Sequence, residues 1–279
     1  LSRGRRALQE DAVIGHVEDG AAEGLIALAD GCGGHARGDL ASNIAAEVAL
    51  RAFRRSEGTV PARLREAAEA ANLAVYAKAQ TAPDLEGMST TLLLAHVDGP
   101  EIHWVSVAVS PLYLLRAGRL ERLNATHSLA RHLDILVDMG EMAPEEAAGH
   151  PARATLTSAL GGAEIEEIDC PEEPVEAGPG DVLMAASDGL LTLPERAIAQ
   201  LLSDGEASAA TLVDRLLDAV AEAGADEQDN TSVAVVRLSP LRLEPVRARP
   251  SATLAGLRRR ALAVLSGAMG AGAGEAGRS

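Results

Sequence analysis

The chain has 279 residues, with 41 Asp and Glu against 25 Lys and Arg, a formal charge of −16. So acidic a polypeptide is repelled by phosphate backbones and anionic lipid surfaces, which sets aside nucleic acid and membrane headgroups as partners. At 47% hydrophobic and 24% charged it is a globular chain, long enough for one large domain or two small ones.

Phe53, Tyr76, Tyr113 and Trp104 are the only aromatics, so Ala, Leu and Val must fill the core. Residues 11–17 (DAVIGHV) and 25–29 (LIALA) are apolar runs bounded by Asp and Gly, the pattern of buried strands. A helix is predicted over 39–55, with Asp39 at its positive end and Leu40, Ile44, Val48 and Phe53 on one face. A second is predicted over 60–79, with Pro61 in the first turn, where its missing N–H costs nothing. Strands follow at 90–97, 101–109 and 112–116 as a meander, with turns at Asp98-Gly99-Pro100 and Ala117-Gly118. Residues 128–160 read as mixed and helical. A strand at Val182–Ala186, a helical region over about 194–223 and a strand at Ser232–Leu238 complete the core. The order lacks regular strand–helix alternation and predicts packed antiparallel sheets covered by helices.

After Pro240 the composition changes. Residues 241–279 hold seven Arg against two Glu, and removing that +5 leaves −21 on residues 1–240. The chain is therefore divided into a folded domain, 1–240, and a basic, Gly/Ala-rich tail, 241–279. Within the tail, 252–268 has the spacing of a short basic amphipathic helix; a loosely ordered tail, docking on acidic surface and membrane contact all stay open. No apolar run reaches the roughly 18–20 residues of a bilayer span. No signal peptide is visible, and a start at Leu1 leaves the completeness of the N-terminus open. Cys32 and Cys170 are too few for a disulfide framework, which fits a reducing compartment, with the cytoplasm as the expectation.

Most Asp-Gly pairs are turns, but two here follow directly on apolar strands: LIALA runs into Asp30-Gly31, and VLMAAS into Asp188-Gly189. Asp229 precedes the strand SVAVVRL, and Glu10-Asp11 opens DAVIGHV. Carboxylates at the ends of buried strands can converge at one sheet edge, where they repel and hold their protons unless a cation joins them. An all-oxygen set without a local His or Cys cluster suits Mg²⁺ or Mn²⁺ over Zn²⁺. Separate turn and cap residues are the competing reading for each position, and it weakens as such sites recur.

Arg6-(x)3-Glu10-Asp11, ALADGCGGHARGDLAS (27–42), GMSTTL (87–92), AASDGLL (185–191) and QDNTSV (228–233) follow one another as in the metal-dependent protein phosphatases. The chain thus resembles the bacterial type 2C serine/threonine phosphatases over about residues 3–238. The resemblance implies an α+β fold: a four-layer α-β-β-α sandwich, two antiparallel sheets flanked by helix pairs, with two Mn²⁺ or Mg²⁺ ions at one edge. It implies that Asp30 bridges the ions and the Gly31 carbonyl ligates one, that Asp188 and Asp229 hold the other, and that Glu10 and Asp11 support the site. Asn230 would orient Asp229. Arg6 matches the family's phosphate-binding arginine, a role its guanidinium suits by gripping two oxygens; a solvated surface arginine is the competing reading. Hydrolysis by a metal-activated water then needs no phosphoenzyme, and Cys32 is not needed as a nucleophile.

The pattern breaks at one acid. The family has Gly-Asp-Ser in a context like VGDSPLYLLR, whereas this chain reads Val107-Ala108-Val109-Ser110-Pro111-Leu112-Tyr113, so Val109 stands in the place of the Asp. In the family that Asp helps hold a third metal linked to turnover; valine has no lone pair, so a third site is lost or weakened. Thr126 also replaces an Asp before His127-Ser128. Cys32 stands where animal enzymes carry a general-acid His, with His35 the nearest substitute or a structural His, and the general acid is unassigned. The resemblance implies a monomeric protein-serine/threonine phosphatase acting on phosphoprotein, slow for want of the third ion. A catalytically weakened, phosphoprotein-binding regulator is the alternative. Residues 128–160 match the family's variable flap, where Leu136, Met139 and Met142 read as packing residues.

Overall fold

An antiparallel hairpin opens the domain: β1 (Asp11–Val17) lies against β2 (Glu23–Cys32), with Asp11 opposite Asp30. The structure, a computed structural model, describes residues 1–17, 23–32 and 37–238. The tail 241–279, with its expected helix, lies outside the described residues.

Two long helices follow, α1 (Gly38–Arg55) and α2 (Val60–Ala79). Thr59 caps α2 by accepting from the Ala62 N–H, and Pro61 sits in its first turn. A short β3 (Ser89–Thr90), β4 (Leu92–Asp98) and β5 (Glu101–Val107) come next, then β6 (Leu112–Arg116) and β7 (Arg119–Arg122). Helices α3 (Leu129–Asp138) and α4 (Pro144–Ala148) precede β8 (Val175–Glu176) and β9 (Val182–Ala186). The described chain closes with α5 (Glu195–Leu202), α6 (Ala209–Ala223) and β10 (Val233–Arg237).

The strands form two antiparallel sheets. One runs β1-β2-β4-β5-β8, with β3 paired to β2; the other runs β10-β9-β6-β7. The expected three-strand meander is therefore split: β4 and β5 pair, but β6 crosses to the second sheet. The crossing is made at Ala108, whose φ of 80° turns the chain, and at Pro111, which brings no N–H to a ladder. The strand expected at 101–109 accordingly stops at Val107.

Three apolar clusters separate the layers. Side chains of α1 and α2 meet β1, β2, β4 and β5 in the first; β6, β9 and β10 meet α5 and α6 in the second; the two sheets share the third. The first shows how an aromatic-poor chain packs. The apolar face expected on α1 is displaced, with Leu40, Ile44 and Val48 half-buried on its flank. Ala41, Ala45, Ala46 and Ala49, all with 0% exposure, face inward with Leu50 and Phe53. The small side chains let α1 approach α2 and the sheet closely. Phe53, the largest fully buried residue, anchors it; truncation to Ala is worth about 3–5 kcal/mol.

Of residues 128–160, only α3 and α4 are helical. Among the described residues, no helix is long and apolar enough to cross a membrane.

Candidate active site

The register of the hairpin brings two acids together first. Asp11 begins β1 and Asp30 lies near the end of β2, directly opposite. The second sheet supplies the other two: Asp188 follows β9 in a 3₁₀ turn, Asp188–Thr192, and Asp229 lies just before β10. Asp30 reaches both Asp11 and Asp188, so acids from both sheets meet at one edge.

Backbone contacts fix each position. The Asp30 carbonyl accepts from the Thr91 N–H and the Thr90 hydroxyl, both at 2.8 Å, while the Asp30 N–H donates to Thr91 Oγ1 at 2.9 Å. The GMSTTL segment is thus the brace of Asp30. Gly31 passes so close to Gly38, at the head of α1, that a Cβ on Gly31 would overlap the Gly38 carbonyl. A Cβ on Gly38 would stand 2.6 Å from Glu10 Oε1, so Glu10 lies against the positive end of α1. Gly189 is held likewise: a Cβ there would overlap the Asn230 carbonyl.

Asp11 is the most enclosed acid. Its Oδ2 accepts from Ser187 and Ser232 hydroxyls, each at 2.7 Å, and its Oδ1 is buried without a donor. The remaining neighbour is Asp30, which bonds to it only by carrying a proton. Burial and then the charges of Asp11, Asp188 and Asp229 push Asp30 up to about 9. Burial first, and then neighbouring acids, also raise Asp188 and Asp11. Glu10 is raised by burial and then by Asp39, against the pull of Arg6. Burial, followed by Asp30, pushes the Cys32 thiol up to about 12, which keeps it protonated and unsuited to nucleophilic attack.

An N-terminal arm completes the site. Asn230 Oδ1 accepts from the Glu10 N–H at 2.7 Å, and Nδ2 donates to the carbonyls of Arg3 and Leu8 at 2.9 and 3.0 Å. Ser2 and Thr231 exchange two backbone bonds at 2.8 Å. Arg6, held on this arm, donates to Asp229 Oδ2 at 2.7 Å, and Asp229 Oδ1 accepts from the Asn230 N–H. The pair is half-exposed, with side chains 55% and 41% accessible, so it is worth at most about 1 kcal/mol and yields readily to a stronger anion or cation.

Arg6, Glu10, Asp30, Gly31, Asp188, Asp229 and Asn230 line one cavity of about 320 Å³, with Asp11 behind it. Cys32, Thr91, Val109, Ala154 and Leu156 complete the wall. Val109 adds an apolar residue to the wall of this hollow, and its carbonyl accepts from half-buried Arg122 at 2.9 Å. The positive φ at Ala108 marks a position that favours glycine, in agreement with aligning Ala108-Val109 on Gly-Asp. His127 is not among the cavity-lining residues; its Nδ1 accepts from the N–H of Ala108, the neighbour of Val109. His35 lies outside the described residues.

Sequence reasoning missed the hydroxyl brackets Thr90, Thr91, Ser187 and Ser232. Each lies within one of the quoted motifs, but nothing in a lone Ser or Thr separates a brace from a turn. Among the described residues no three acid, His or Cys side chains form a ready cation cage. The donor chemistry nevertheless fits a hard divalent ion: oxygen only, mutually repelling, with one buried carboxylate oxygen lacking a donor.

A family model described as Protein phosphatase 2C matches residues 3–228. Serine/threonine protein phosphatase PstP of Mycobacterium tuberculosis is 38% identical over 186 residues, covering 66% of this chain and 34% of that protein. The chain therefore matches about a third of the length of that curated relative. The crystal structure of M. tuberculosis PstP/Ppp superposes with a TM-score of 0.70 at 34% identity, covering 86% of this chain and 97% of that one. The catalytic domain of PstP in complex with two manganese ions gives 0.65 at 32% identity, covering 84% and 95%.

Proposed function

The chain belongs to the protein phosphatase 2C family, and we propose that it hydrolyses phosphoserine and phosphothreonine monoesters on proteins, using two bound Mn²⁺ or Mg²⁺ ions. The observation that carries this reading is the convergence of Asp11 and Asp30 from one sheet with Asp188 and Asp229 from the other, at a cavity that Arg6 also lines. Asp30, Asp188 and Asp229, with the Gly31 carbonyl, are the proposed ligands, and Glu10 and Asp11 support them. When bound, the ions supply Lewis acidity toward the phosphoryl group and acidify a water. The chain's own contribution is positional. Arg6 leaves Asp229 to grip phosphoryl oxygens, and Asn230 keeps the arm that carries Arg6 and Glu10 in place. The Ser187 and Ser232 hydroxyls hold Asp11 in one orientation.

The helix, sheet, sheet, helix succession of the three apolar clusters supports the four-layer reading of the fold. Two free cysteines, one buried and one half-buried, fit a reducing compartment such as the cytoplasm, and a monomer that recognises phosphoprotein is the simplest assembly.

Val109 supports a second reading, a member with weakened turnover that binds phosphoprotein as a regulator, because it places no ligand where the family pattern has an acid. Hydrolysis of p-nitrophenyl phosphate and of a phosphothreonine peptide in Mn²⁺ separates the two. Turnover well above an Asp30→Ala control, by about 10²-fold or more, is expected for the enzyme. A rate equal to that control refutes it. An increase in rate in Val109→Asp assigns the deficit to the missing acid, and no increase removes that explanation.

A further inference from the structure

A second surface lies along β1, the terminal strand of its sheet, and no other described strand pairs with its outer side. The ladder tells which groups point outward. The Gly31 N–H donates to the Glu10 carbonyl at 3.0 Å, and in the Asp11–Asp30 register bonded pairs recur at every second residue. Ala12, Ile14 and His16 therefore exchange bonds with β2, while the N–H and C=O groups of Val13, Gly15 and Val17 face away. Edges of this kind are normally blunted by Lys, Pro or a bulge. The strand DAVIGHV has no Lys or Pro, and its seven residues pair in unbroken register.

Beside this edge run two cavities in succession. The first, about 380 Å³, has Ile14 and Leu50 with Arg51, Arg54 and Arg55 around it, and Glu47 as its one acid. The second, about 290 Å³, is lined by His16, Glu23, Phe53, Arg54 and Arg63 among others, so Arg54 borders both. Part of this charge has a structural use. Arg54 and Arg55 lie in the last turn of α1, where the helix dipole favours cations, and Arg63 donates to the Phe53 carbonyl and lies over its ring at 4.0 Å. Helix-end electrostatics do not account for an apolar floor beside an edge that no other described strand pairs. An arginine-walled trough also runs against the −21 of residues 1–240.

We infer that the outer edge of β1 and the trough beside it dock an extended segment of a partner protein that alternates acidic and apolar residues. The segment adds as an antiparallel or parallel strand about 4.8 Å from β1, bonding to Val13, Gly15 and Val17. Its side chains on the α1 side meet Arg51, Arg54 and Arg55 and lay their aliphatic stems on Ile14. Those on the other side continue the apolar surface of Val13, which packs against the cluster shared by the sheets. A second copy of the chain is a poor occupant: the residues of β1 on the α1 side are Ala12, Ile14 and His16, with no acid, and pairing two copies brings the arginine walls together. The inference is independent of the phosphatase reading.

The test uses the full chain and a fluorescein-labelled seven-residue peptide alternating valine and glutamate, with a valine–lysine counterpart, read by anisotropy. The glutamate peptide is expected to bind about tenfold or more tightly than the lysine one, and to weaken as salt rises. Gly15→Pro removes one outward N–H without touching the β1–β2 ladder, and is expected to lower affinity about five- to tenfold. Arg51→Glu with Arg54→Glu is expected to abolish the preference for glutamate. p-Nitrophenyl phosphate turnover serves as the control and stays unchanged in both variants, while the thermal midpoint of the arginine variant falls slightly because Arg54 is a helix-end cation. Equal binding of the two peptides overturns the inference. So does indifference to Gly15→Pro, or a concentration-dependent dimer that Gly15→Pro dissolves. If Gly15→Pro does not fold, the arginine double variant decides.

Discussion

Asn230 is the side chain on which the N-terminal half of the site hangs, and Asn230→Ala tests that directly. It is 3% exposed and makes three bonds to the arm: one from the Glu10 N–H and two to the Arg3 and Leu8 carbonyls. At about 1 kcal/mol net for each bond the ceiling is about 3 kcal/mol. Leu8 and Arg3 are exposed, so water recovers part of their share, whereas the Glu10 N–H is left in a half-buried setting. The expected loss is therefore about 2 kcal/mol, or about 4–8 °C in Tm for a unit of this size. Urea unfolding followed by the fluorescence of Trp104, the single tryptophan, measures it. The arm stays attached at Ser2 through its bridge to Thr231, so residues 6–10 loosen first. Faster hydrogen exchange at the Glu10 amide and a raised KM for p-nitrophenyl phosphate follow, because Arg6 is no longer held over the cavity. Asn230→Asp keeps an acceptor for Glu10 but offers no donor to the two carbonyls and adds charge beside Asp229; it is expected to do no better. A change in stability below about 0.5 kcal/mol with unaltered Glu10 exchange refutes the reasoning.

Gly31→Ala drives a methyl group into the Gly38 carbonyl, and a loss of about 3 kcal/mol or more is expected by thermal melting. Asp30, raised by burial from 3.8 to about 9, contributes stability that is complete below about pH 4 and is lost as pH rises through about 9. In chelator the melting temperature is therefore expected to fall across that window, and Asp30→Asn to flatten the dependence. Added Mn²⁺ is expected to restore stability at the alkaline end, with no restoration in Asp30→Asn. The His127 pKa is lowered by burial from 6.5, so its contribution is present above that value and is lost as pH falls through the folded value. His127→Ala leaves the Ala108 N–H without its acceptor and is expected to cost about 1–3 kcal/mol, measured by urea unfolding at neutral pH.

The acids were legible because each stands where an apolar strand meets a polar residue, and strand ends are where a sheet offers its edge. β9 matched its expected range because VLMAA is apolar throughout and bounded by Asp181 and Ser187. Polar strands were not legible: β7 reads Arg-Leu-Glu-Arg and is fixed only by pairing with β6. The crossing from β5 to β6 depends on a backbone angle at Ala108 that no propensity for alanine suggests. The alanine face of α1 escaped a search for large apolar side chains, because close approach, and not side-chain size, decides that seam. Asn230 was expected to orient Asp229; its N–H bonds Asp229 Oδ1, and its side chain has the further partners on the arm that the sequence did not reveal.

The clasp between the arm and the last strand also sets an order of events in time. Arg6 and Asp229 meet across 223 positions, and Glu10 and Asn230 across 220. Closing so long a loop is slow and yields nothing until both ends are available. During synthesis, the hairpin can place Asp11 beside Asp30 early, but the arm that carries Arg6 has no anchor until residues 228–232 leave the ribosome. A growing chain therefore passes most of its synthesis with its acids only partly gathered, and the site is complete only once the last described strand is made.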